Sequence, residues 1–410
     1  MLTTKITSLM TSNSNIQKIR KILHFSRDEY ESRLKNIRLK MQEENLDLLL
    51  LSDPCNIYYA TGYDAWSFYV PQCALISASN DEPVWIGREM DRHGACLTSI
   101  LSDNNIVAYD DKYVQSQIYH PMSVMASEIR ERYGNNIHIG IEMDSYYIDI
   151  QAYLKLQTEL PNCKVSDASL LVNWVRAVKS PTEIGYMHEA ATLVQNAMQS
   201  AIDLIQPNVR ECDVAATAYS DLVSSNPDFA GSYTSTPPLI PAGERLNTPH
   251  LSWNSSRYQN ETQINLELMA CRNRYHMPLG RSVYLGTPPA NLQTIESAIV
   301  EGLDAALDFI KPGVMACEVE ATWQKAAAKY NVQKSARCGY ALGIAYPPTC
   351  GEKTISLRPD DKTILEEGMT FHLMPAIWHE GNSLVITEPF AVTKSGAETF
   401  CNFPRKLFVK

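Results

Sequence analysis

The pattern Ile-x-Pro-x-Val occurs twice in this chain, at residues 205–209 and 310–314, about a hundred residues apart. In both places it lies between two stretches whose apolar residues recur with helical periodicity. A helix, a turn and a second helix that repeat at this distance indicate an internal duplication. Two unrelated helix ends would give the same pattern, because Pro often follows the last turn of a helix.

A capping-box pattern predicts where the first of these helices begins. Ser180 can cap the helix, Pro181 fits its first position, and Glu183 can return a hydrogen bond to the cap. Four long helices are predicted in this half of the chain: 180–204, 211–225, 292–309 and 317–330.

The first half of the chain has shorter, alternating elements. Helical spacing over 26–44 is followed by the apolar run 46–51, which is typical of a buried strand. Further strand-like runs are 74–76, 84–86 and 137–141. This alternation predicts a small α/β domain with a mixed sheet. A chain of 410 residues can form two cores. We expect an N-terminal arm at 1–25, a first domain at 26–178 and a second domain at 179–410.

Composition limits the partners of the protein. A formal net charge of −10 argues against nucleic acid and anionic membranes, because both require a basic surface. The ten cysteines are scattered singly, no apolar run reaches membrane-spanning length, and the first residues lack the apolar core of a signal peptide. We therefore predict a cytoplasmic protein with reduced cysteines, whose partner is a small ligand or another protein.

The stretch 264–282 carries Glu267, Tyr275, Pro278 and Arg281. It resembles the first metal-binding strand pair of the creatinase/prolidase/methionine aminopeptidase superfamily, and the resemblance extends over nearly the whole chain. The resemblance implies an α+β fold, in which a small creatinase-like α/β domain precedes a C-terminal pita-bread domain. A pita-bread domain has a pseudo-two-fold antiparallel sheet with flanking helices.

The resemblance also indicates which residues stand at the superfamily's metal-ligand positions: Glu267, Pro278, Tyr340, Met374 and Thr387. Catalytic divalent metal sites of this kind need several carboxylate oxygens and an imidazole. Only Glu267 is a strong ligand among the five. We therefore expect no catalytic metal and no other cofactor.

Four motifs together resemble the ectoine hydrolases of this superfamily: 66–72, 274–281, 346–352 and 356–359. Ectoine hydrolases open the cyclic amidine of the osmolyte ectoine to N-acetyl-diaminobutyrate. The resemblance implies a metal-independent hydrolase in compatible-solute catabolism, with ectoine or hydroxyectoine, a small zwitterion, as its substrate. Thr349, Cys350 and Gly280 depart from the residues usual in that family, which leaves a change of substrate open.

Catalytic roles follow from the chemistry of an amidinium. Glu267 is expected to pair with it or to attack its carbon. His250 is the candidate general base, because its unperturbed pKa is near neutrality. Glu352 or Glu388 is expected to protonate the departing nitrogen or to hold the amidinium. Tyr340 is expected to donate to the tetrahedral intermediate.

Arg281, His276 and His372 are the candidates to bind the carboxylate of the substrate, in that order. His276 is also compatible with a structural position in the core, and His93 and His379 are expected at the surface. Three aromatic residues of the first domain are predicted to contact substrate: Tyr63, Trp66 and Phe68. The family implies a homodimer in which the first domain of one subunit lies near the site of the other, and a downstream deacetylase is a further expected partner. An aromatic cluster in the core of the first domain is the alternative for Trp66.

Two other functions are compatible with the motifs. One is a metal-dependent Xaa-Pro-type aminopeptidase with unusual ligands, which would need Glu267, Glu388 and a histidine from elsewhere. The other is a non-catalytic pita-bread binding protein. The presence of His250, Glu267, Glu352 and Arg281 argues against the second, because a binding surface does not require acid/base groups.

Overall fold

A computed structural model describes residues 21–378 and 383–410. The chain forms two compact units that divide between Ala168 and Ser169, and each is described by itself. Most of the predicted N-terminal arm, residues 1–20, lies outside the described residues, as does His379. Within the described part of the chain, no helix is long and apolar enough to cross a membrane.

Unit 1 is built around one mixed sheet of six strands. Its strands are β1 (Leu48–Leu51), β2 (Cys73–Ser77), β3 (Val84–Arg88), β4 (Ile106–Tyr109), β5 (His138–Ile141) and β6 (Lys164–Asp167). Its helices are α1 (Arg27–Glu43), α2 (Pro54–Thr61), α3 (Arg92–Thr98), α4 (Pro121–Tyr133) and α5 (Ile150–Glu159). The strand order is β4-β3-β2-β1-β5-β6, with β1 and β3 antiparallel to β2 and the other pairs parallel. All four leucines of β1 are buried, as a central strand covered on both faces requires.

A buried carboxylate fixes the turn that follows β1. Glu142, the residue after β5, accepts hydrogen bonds from the backbone N–H groups of Ser52 and Asp53 at 2.6 and 2.7 Å. Asn56 Nδ2 donates to the same carboxylate at 2.5 Å. These bonds satisfy backbone donors that the start of α2 leaves without a helical partner.

Unit 2 contains two groups of helices and two sheets. Its helices are α6 (Leu171–Val175), α7 (Pro181–Leu204), α8 (Glu211–Ser224), α9 (Ala290–Phe309) and α10 (Ala316–Ala327). Its strands are β7 (Thr262–Arg272), β8 (Tyr275–Leu285), β9 (Gly339–Ala341), β10 (Ser356–Leu357), β11 (Thr370–Leu373), β12 (Glu388–Thr393), β13 (Gly396–Thr399) and β14 (Leu407–Val409). The sheets run β10-β9-β11-β12-β13, all antiparallel, and β14-β8-β7. Backbone bonds join β8 to the other sheet, from Thr387 N–H to Gly280 O at 3.2 Å and from His276 N–H to Gly343 O at 3.0 Å.

The repeated Ile-x-Pro-x-Val pattern forms the same turn twice. The residue after each Pro has a left-handed backbone, with φ of 71° at Asn208 and 94° at Gly313. The Val N–H closes the turn onto the carbonyl of the residue before Pro, at 3.2 Å in the first copy and 3.4 Å in the second. A turn with Pro second and a left-handed residue third favours Asn or Gly at that third position, which is what the two copies carry. α8 and α10 each begin two residues after the Val, so both halves of unit 2 share this helix–turn–helix.

The capping box at the start of α7 is formed as predicted. Ser180 Oγ accepts from the Glu183 N–H at 3.2 Å, and Glu183 Oε2 accepts from the Ser180 N–H at 2.7 Å. The other oxygen of Glu183 accepts from the Tyr275 hydroxyl at 2.5 Å. The carboxylate of Glu183 therefore caps the start of α7 and links this helix to Tyr275, the first residue of β8.

A core of unit 2 lies between α9, α10 and the five-stranded sheet. Trp323 of α10 is fully buried, and Gly302 of α9 leaves room for its indole, because a Cβ there would be 2.5 Å from the indole nitrogen. On the sheet side, Phe371 and Phe390 stack with ring centroids 5.3 Å apart. This packing holds β11 and β12 in register behind the cavity described below.

We predict opposite effects for two glycine-to-alanine substitutions in unit 2. A methyl group would meet no atom within 4 Å at either Gly313 or Gly185. Gly313→Ala should destabilise the protein by about 1–2 kcal/mol, because φ of 94° is unfavourable for an L-residue. Gly185→Ala, at an exposed position of α7, should stabilise it by about 0.5–1 kcal/mol. Urea denaturation measures the change in the free energy of unfolding for both variants. Two changes of the same sign would contradict the turn assigned at Gly313.

Candidate active site

Unit 2 contains a cavity of about 480 Å³ bounded by β7, β8, β9 and β11. Four of the residues selected from the sequence line it together: His250, Glu267, Tyr340 and His372. They come from segments that are far apart in the chain and meet only because the two sheets adjoin. The cavity is large enough for a small organic ligand.

Glu267 is held in β7 by backbone bonds to Leu239 on one side and lies opposite Gly280 of β8 on the other. Its N–H donates to Leu239 O at 2.9 Å and its carbonyl accepts from Leu239 N–H at 3.0 Å, while β8 places Gly280 directly opposite. A Cβ at Gly280 would lie 2.6 Å from Val385 Cγ1 and 3.0 Å from Thr387 Cγ2. Close packing of this chain segment therefore explains why glycine stands at position 280.

The carboxylate of Glu267 makes no hydrogen bond or ion pair with another described residue. Burial raises its pKa to about 7, and the positive charge of Lys334 opposes that rise. Most other buried carboxylates of unit 2 accept hydrogen bonds from named partners. Glu267 is thus a half-ionised acid near neutral pH that faces a cavity, which is a typical sign of a functional group.

Tyr340 and His372 form a pair across adjacent strands. They face each other in the β9–β11 register, and the Tyr340 hydroxyl lies 3.0 Å from His372 Nδ1 and 3.3 Å from Cys350 Sγ. Burial, followed by the charges of Arg337 and Arg281, lowers the pKa of His372 to about 3. The ring is therefore neutral. If Nδ1 accepts from Tyr340, the ring proton is on Nε2, which has no partner among the described residues.

His250 differs from the other three residues because its side chain is exposed. It follows the short helical turn Gly243–Asn247 and lines the cavity together with Pro249. An exposed imidazole at the wall of a cavity has access both to solvent water and to a bound ligand.

Two cations of the cavity wall were missed by sequence reasoning. Lys334 is buried, donates to Ala376 O at 2.6 Å and lies 4.8 Å from the centroid of the Trp378 ring. The Arg337 guanidinium lies 4.6 Å from the centroid of the Tyr340 ring. Burial lowers the pKa of Lys334, and the negative charge of Glu267 raises it. The available signal was weak: two basic residues shortly before the Gly339-Tyr340 strand.

Arg281 and Glu388, which the sequence placed at the substrate, pair with each other instead of lining the cavity. Arg281 Nη2 donates to Glu388 Oε1 at 2.5 Å. The remaining N–H groups of Arg281 donate to four backbone carbonyls: Gly280, Thr387, Phe403 and Pro404. All five donors of the guanidinium are used, which leaves none for a ligand.

Glu352 is likewise absent from the cavity wall and forms a buried ionic triad. Its two carboxylate oxygens accept from Arg176 Nη1 and Lys179 Nζ, both at 2.7 Å. The carboxylate packs so closely on Gly343 that a Cβ there would be 1.9 Å from Glu352 Oε1. This second glycine of the Gly-Tyr-x-x-Gly sequence is therefore required by the triad.

His276 has the geometry of a core histidine, the structural alternative for this residue. Its Nε2 accepts from the Ser235 N–H at 3.0 Å, and its Nδ1 donates to Arg274 O at 2.9 Å. Burial and the charge of Arg274 lower its pKa to about 3. With both nitrogens bonded, the neutral ring is not presented to the cavity.

The three aromatic residues proposed as substrate contacts belong to unit 1. Tyr63 is buried, and its hydroxyl lies 2.5 Å from Ser67 Oγ. Trp66 is 56% exposed and contacts Phe68 with ring centroids 4.8 Å apart. Phe68 lines a separate cavity within unit 1.

Comparison with known proteins assigns a family to both parts of the chain. Residues 33–178 match the Creatinase/Prolidase N-terminal domain, and residues 185–394 match Metallopeptidase family M24. The second match alone covers slightly more than half of the chain. The protein belongs to the M24 family. The predicted fold, a creatinase N-terminal domain followed by a pita-bread domain, is thereby confirmed.

Individual relatives place this M24 protein among hydrolases. It is 42% identical to the ectoine hydrolase of Halomonas elongata, over 95% of this chain and 99% of that protein. It is 40% identical to an uncharacterized hydrolase/peptidase, y4tM, of Sinorhizobium fredii, over 95% of this chain and all of that protein. Among solved structures, the Xaa-Pro dipeptidase from Bacillus anthracis has the same fold, with a TM-score of 0.78 at 19% identity over 93% of this chain and all of that one. The protein is a hydrolase.

The metal ions that the M24 description implies do not fit the residues present. The positions that the resemblance assigns to the ligands hold one carboxylate, one phenol and three side chains that bind divalent metals weakly or not at all: Glu267, Tyr340, Pro278, Met374 and Thr387. Across residues 21–378 and 383–410, no three His, Cys, Asp or Glu side chains come together as a metal-binding group.

We predict that Glu352→Gln will lower the free energy of unfolding of the M24 protein. The substitution leaves Arg176 and Lys179 buried without a countercharge, which typically costs about 3–5 kcal/mol. Urea denaturation measures the loss, with the exposed Glu366→Gln as the matched control. A Glu352→Gln protein that is as stable as the control but inactive would instead support the catalytic role expected from the sequence.

Proposed function

We propose that the protein hydrolyses the ring of ectoine, or of the closely related hydroxyectoine, to N-acetyl-diaminobutyrate without a bound metal. The observation that carries the proposal is Glu267, the one carboxylate among the described residues of the cavity wall, which has a pKa of about 7 and no hydrogen bond or ion pair with another described residue. A cationic amidinium satisfies such a group directly, through charge-assisted hydrogen bonds. The similarity to the Halomonas elongata ectoine hydrolase over nearly the full length supports this choice of substrate.

The two charges of the substrate match charged side chains of the cavity wall. The amidinium pairs with Glu267, and the ring carboxylate lies near Lys334 and Arg337. Lys334 and Arg337 take the place of Arg281 and His276 as the groups that bind the carboxylate. The hydrogen bonds of Arg281 and His276 are already satisfied within the protein. The ring methyl group can pack on the apolar side chains of Met269 and Pro278.

Hydrolysis then requires a water molecule and a side chain that can carry a proton from this water to the leaving nitrogen. His250 accepts a proton from water as the oxygen adds to the amidine carbon, which forms a tetrahedral intermediate. Tyr340 or the Nε2–H of His372 donates a hydrogen bond to that intermediate. As the carbon–nitrogen bond breaks, the proton held by His250 passes to the departing nitrogen. The hydroxyl proton of the intermediate leaves to solvent as the amide carbonyl forms, and the released amine takes up a proton from solvent. Glu352 and Glu388 are not needed for this transfer, since neither lines the cavity.

Substitution of the two central residues tests the mechanism. Glu267→Gln should lower kcat/KM by on the order of 10²–10³-fold if Glu267 acts electrostatically, and should abolish turnover if it is the nucleophile. His250→Ala should lower kcat by about 10²–10⁴-fold. NMR detection of the acetyl group of the product from ectoine provides the measurement. The exposed Glu366→Gln serves as control, and wild-type activity in Glu267→Gln would refute the mechanism.

Metal independence has its own test. Turnover of ectoine should be unchanged after dialysis against EDTA, and addition of Mn²⁺ should not increase it. Activity that disappears with EDTA and returns with Mn²⁺ would favour a metal-dependent M24 peptidase, for which an Xaa-Pro dipeptide is the substrate to assay in parallel.

Substrate binding should release a proton at mildly acidic pH. Glu267, with its pKa near 7, is mostly protonated at about pH 6, and pairing with the amidinium requires the carboxylate. His250→Ala protein should therefore release close to one proton per ectoine bound at about pH 6 and almost none at about pH 8.5. Calorimetry in two buffers of different ionisation enthalpy measures the release. The double variant with Glu267→Gln should release none at either pH.

We also propose a cytoplasmic homodimer whose product passes to a deacetylase. The dimer is measurable by light scattering of the purified protein, and proximity of Trp66 to the partner's cavity by cross-linking from that position.

A further inference from the structure

His250 stands on a loop of unit 2, residues 243–254, which we call the His250 loop. The loop lies wholly within the described part of the chain and contains no strand. Backbone hydrogen bonds hold the chain just outside both of its ends. Asn265 N–H donates to Pro241 O at 3.1 Å, and Glu211 N–H donates to Ser256 O at 3.0 Å. Between these two points the loop depends largely on side-chain contacts.

A buried carboxylate of α8 holds the loop on both sides of His250. Glu211, the first residue of α8, is only 4% exposed. Both of its carboxylate oxygens accept from Arg245 Nη2 at 2.5 Å, and Oε2 also accepts from the Asn254 N–H at 2.8 Å. Arg245 precedes His250 in the loop and Asn254 follows it. One carboxylate therefore joins both parts of the loop to the helix through charge-assisted hydrogen bonds.

Arg245 also forms a hydrogen bond across the loop. Its Nη1 donates to Ser252 O at 2.5 Å, and the Ser252 hydroxyl donates to Pro238 O at 2.7 Å. Pro238 precedes Leu239, the residue whose backbone is bonded to that of Glu267. The contacts of Arg245 thus connect the His250 loop to the strand segment that carries the central carboxylate of the cavity.

The imidazole of His250 depends on the loop for its position. The side chain is exposed, and no described residue hydrogen-bonds to its ring. A general base must lie about 2.6–3.2 Å from the atom whose proton it removes. A displacement of about 1 Å can cost on the order of 100-fold in rate. An imidazole that no partner orients directly can meet this requirement only if its backbone is fixed.

We propose that Glu211 and Arg245 are positioning residues for the hydrolysis: their ion pair fixes the His250 loop, and with it the place of the imidazole relative to Glu267. The inference rests on the proposed function, in which His250 is the general base. Neither Glu211 nor Arg245 lines the cavity, so the pair acts on the reaction through His250.

The kinetics of ectoine hydrolysis by the full-length protein test this role. Glu211→Gln should lower kcat by about 10–100-fold and leave KM within about twofold, because the groups proposed to bind the substrate lie outside the loop. Arg245→Lys keeps a positive charge for Glu211 but loses the bond to Ser252, so its kcat should fall between those of Glu211→Gln and the wild type. This milder variant decides the question if thermal melts show that Glu211→Gln does not fold.

A neighbouring ion pair provides the matched control. Asp213 pairs with Arg210 in the same first turn of α8, but both side chains are exposed, so Asp213→Asn should leave kcat unchanged. In the His250→Ala background, Glu211→Gln should cause no further loss of kcat, since an effect that acts through His250 is already lost. A further loss as large as in the wild-type background, or an unchanged kcat in Glu211→Gln, would overturn the inference.

NMR of the histidine rings separates the inference from the proposed function. The Cε1–Hε1 signal of His250 is assigned by its absence from the His250→Ala protein. It should shift or broaden in Glu211→Gln and stay in place in Asp213→Asn. An unchanged signal in Glu211→Gln would overturn the inference even if ectoine is hydrolysed. A changed signal in a protein whose wild type does not hydrolyse ectoine would retain the control of His250 by Glu211 and overturn the proposed function.

Discussion

Compensation of buried charge is the constraint on which unit 2 depends. The Glu352 triad ties the segment before α7 to the loop after β9, and the Arg281–Glu388 pair ties β8 to β12. Because breaking either set would leave ions in a low-dielectric interior, these contacts hold the two sheets against each other. The cavity exists where the sheets adjoin. Among the described residues of its wall Glu267 is the only carboxylate, and none of the described residues forms an ion pair with it.

This arrangement explains how one scaffold can support different chemistry. The strand pairing that brings Glu267, Tyr340 and Met374 to one cavity belongs to the fold shared with prolidases of under 25% identity. The backbone register is set by sheet hydrogen bonds and core packing, neither of which requires a metal. Side chains that line the cavity can therefore change while the cavity persists.

Much of the fold followed from local patterns, whereas only part of the site did. The capping box at Ser180 and the repeated Ile-x-Pro-x-Val pattern predicted helix ends to within a few residues, because such signals act over short distances. Motif order also identified four residues that meet in one cavity. The motifs could not show that Arg281 and Glu352 are paired with other residues of the protein. Such pairing depends on residues more than a hundred positions away in the chain. Lys334 and Arg337 were missed because the segment before β9 has no periodicity.

An unpaired acid at the centre of a cavity has a consequence for the lifetime of the protein. A ligand that binds only the folded state stabilises it by about 2.7 kcal/mol when present at a hundred times its Kd. A cationic solute that pairs with the poorly solvated carboxylate would bind only the folded protein. If that solute were abundant, it would lower the fraction of locally unfolded molecules that proteases can cleave. Abundance of the protein in the cell would then follow the supply of that solute without any change in transcription.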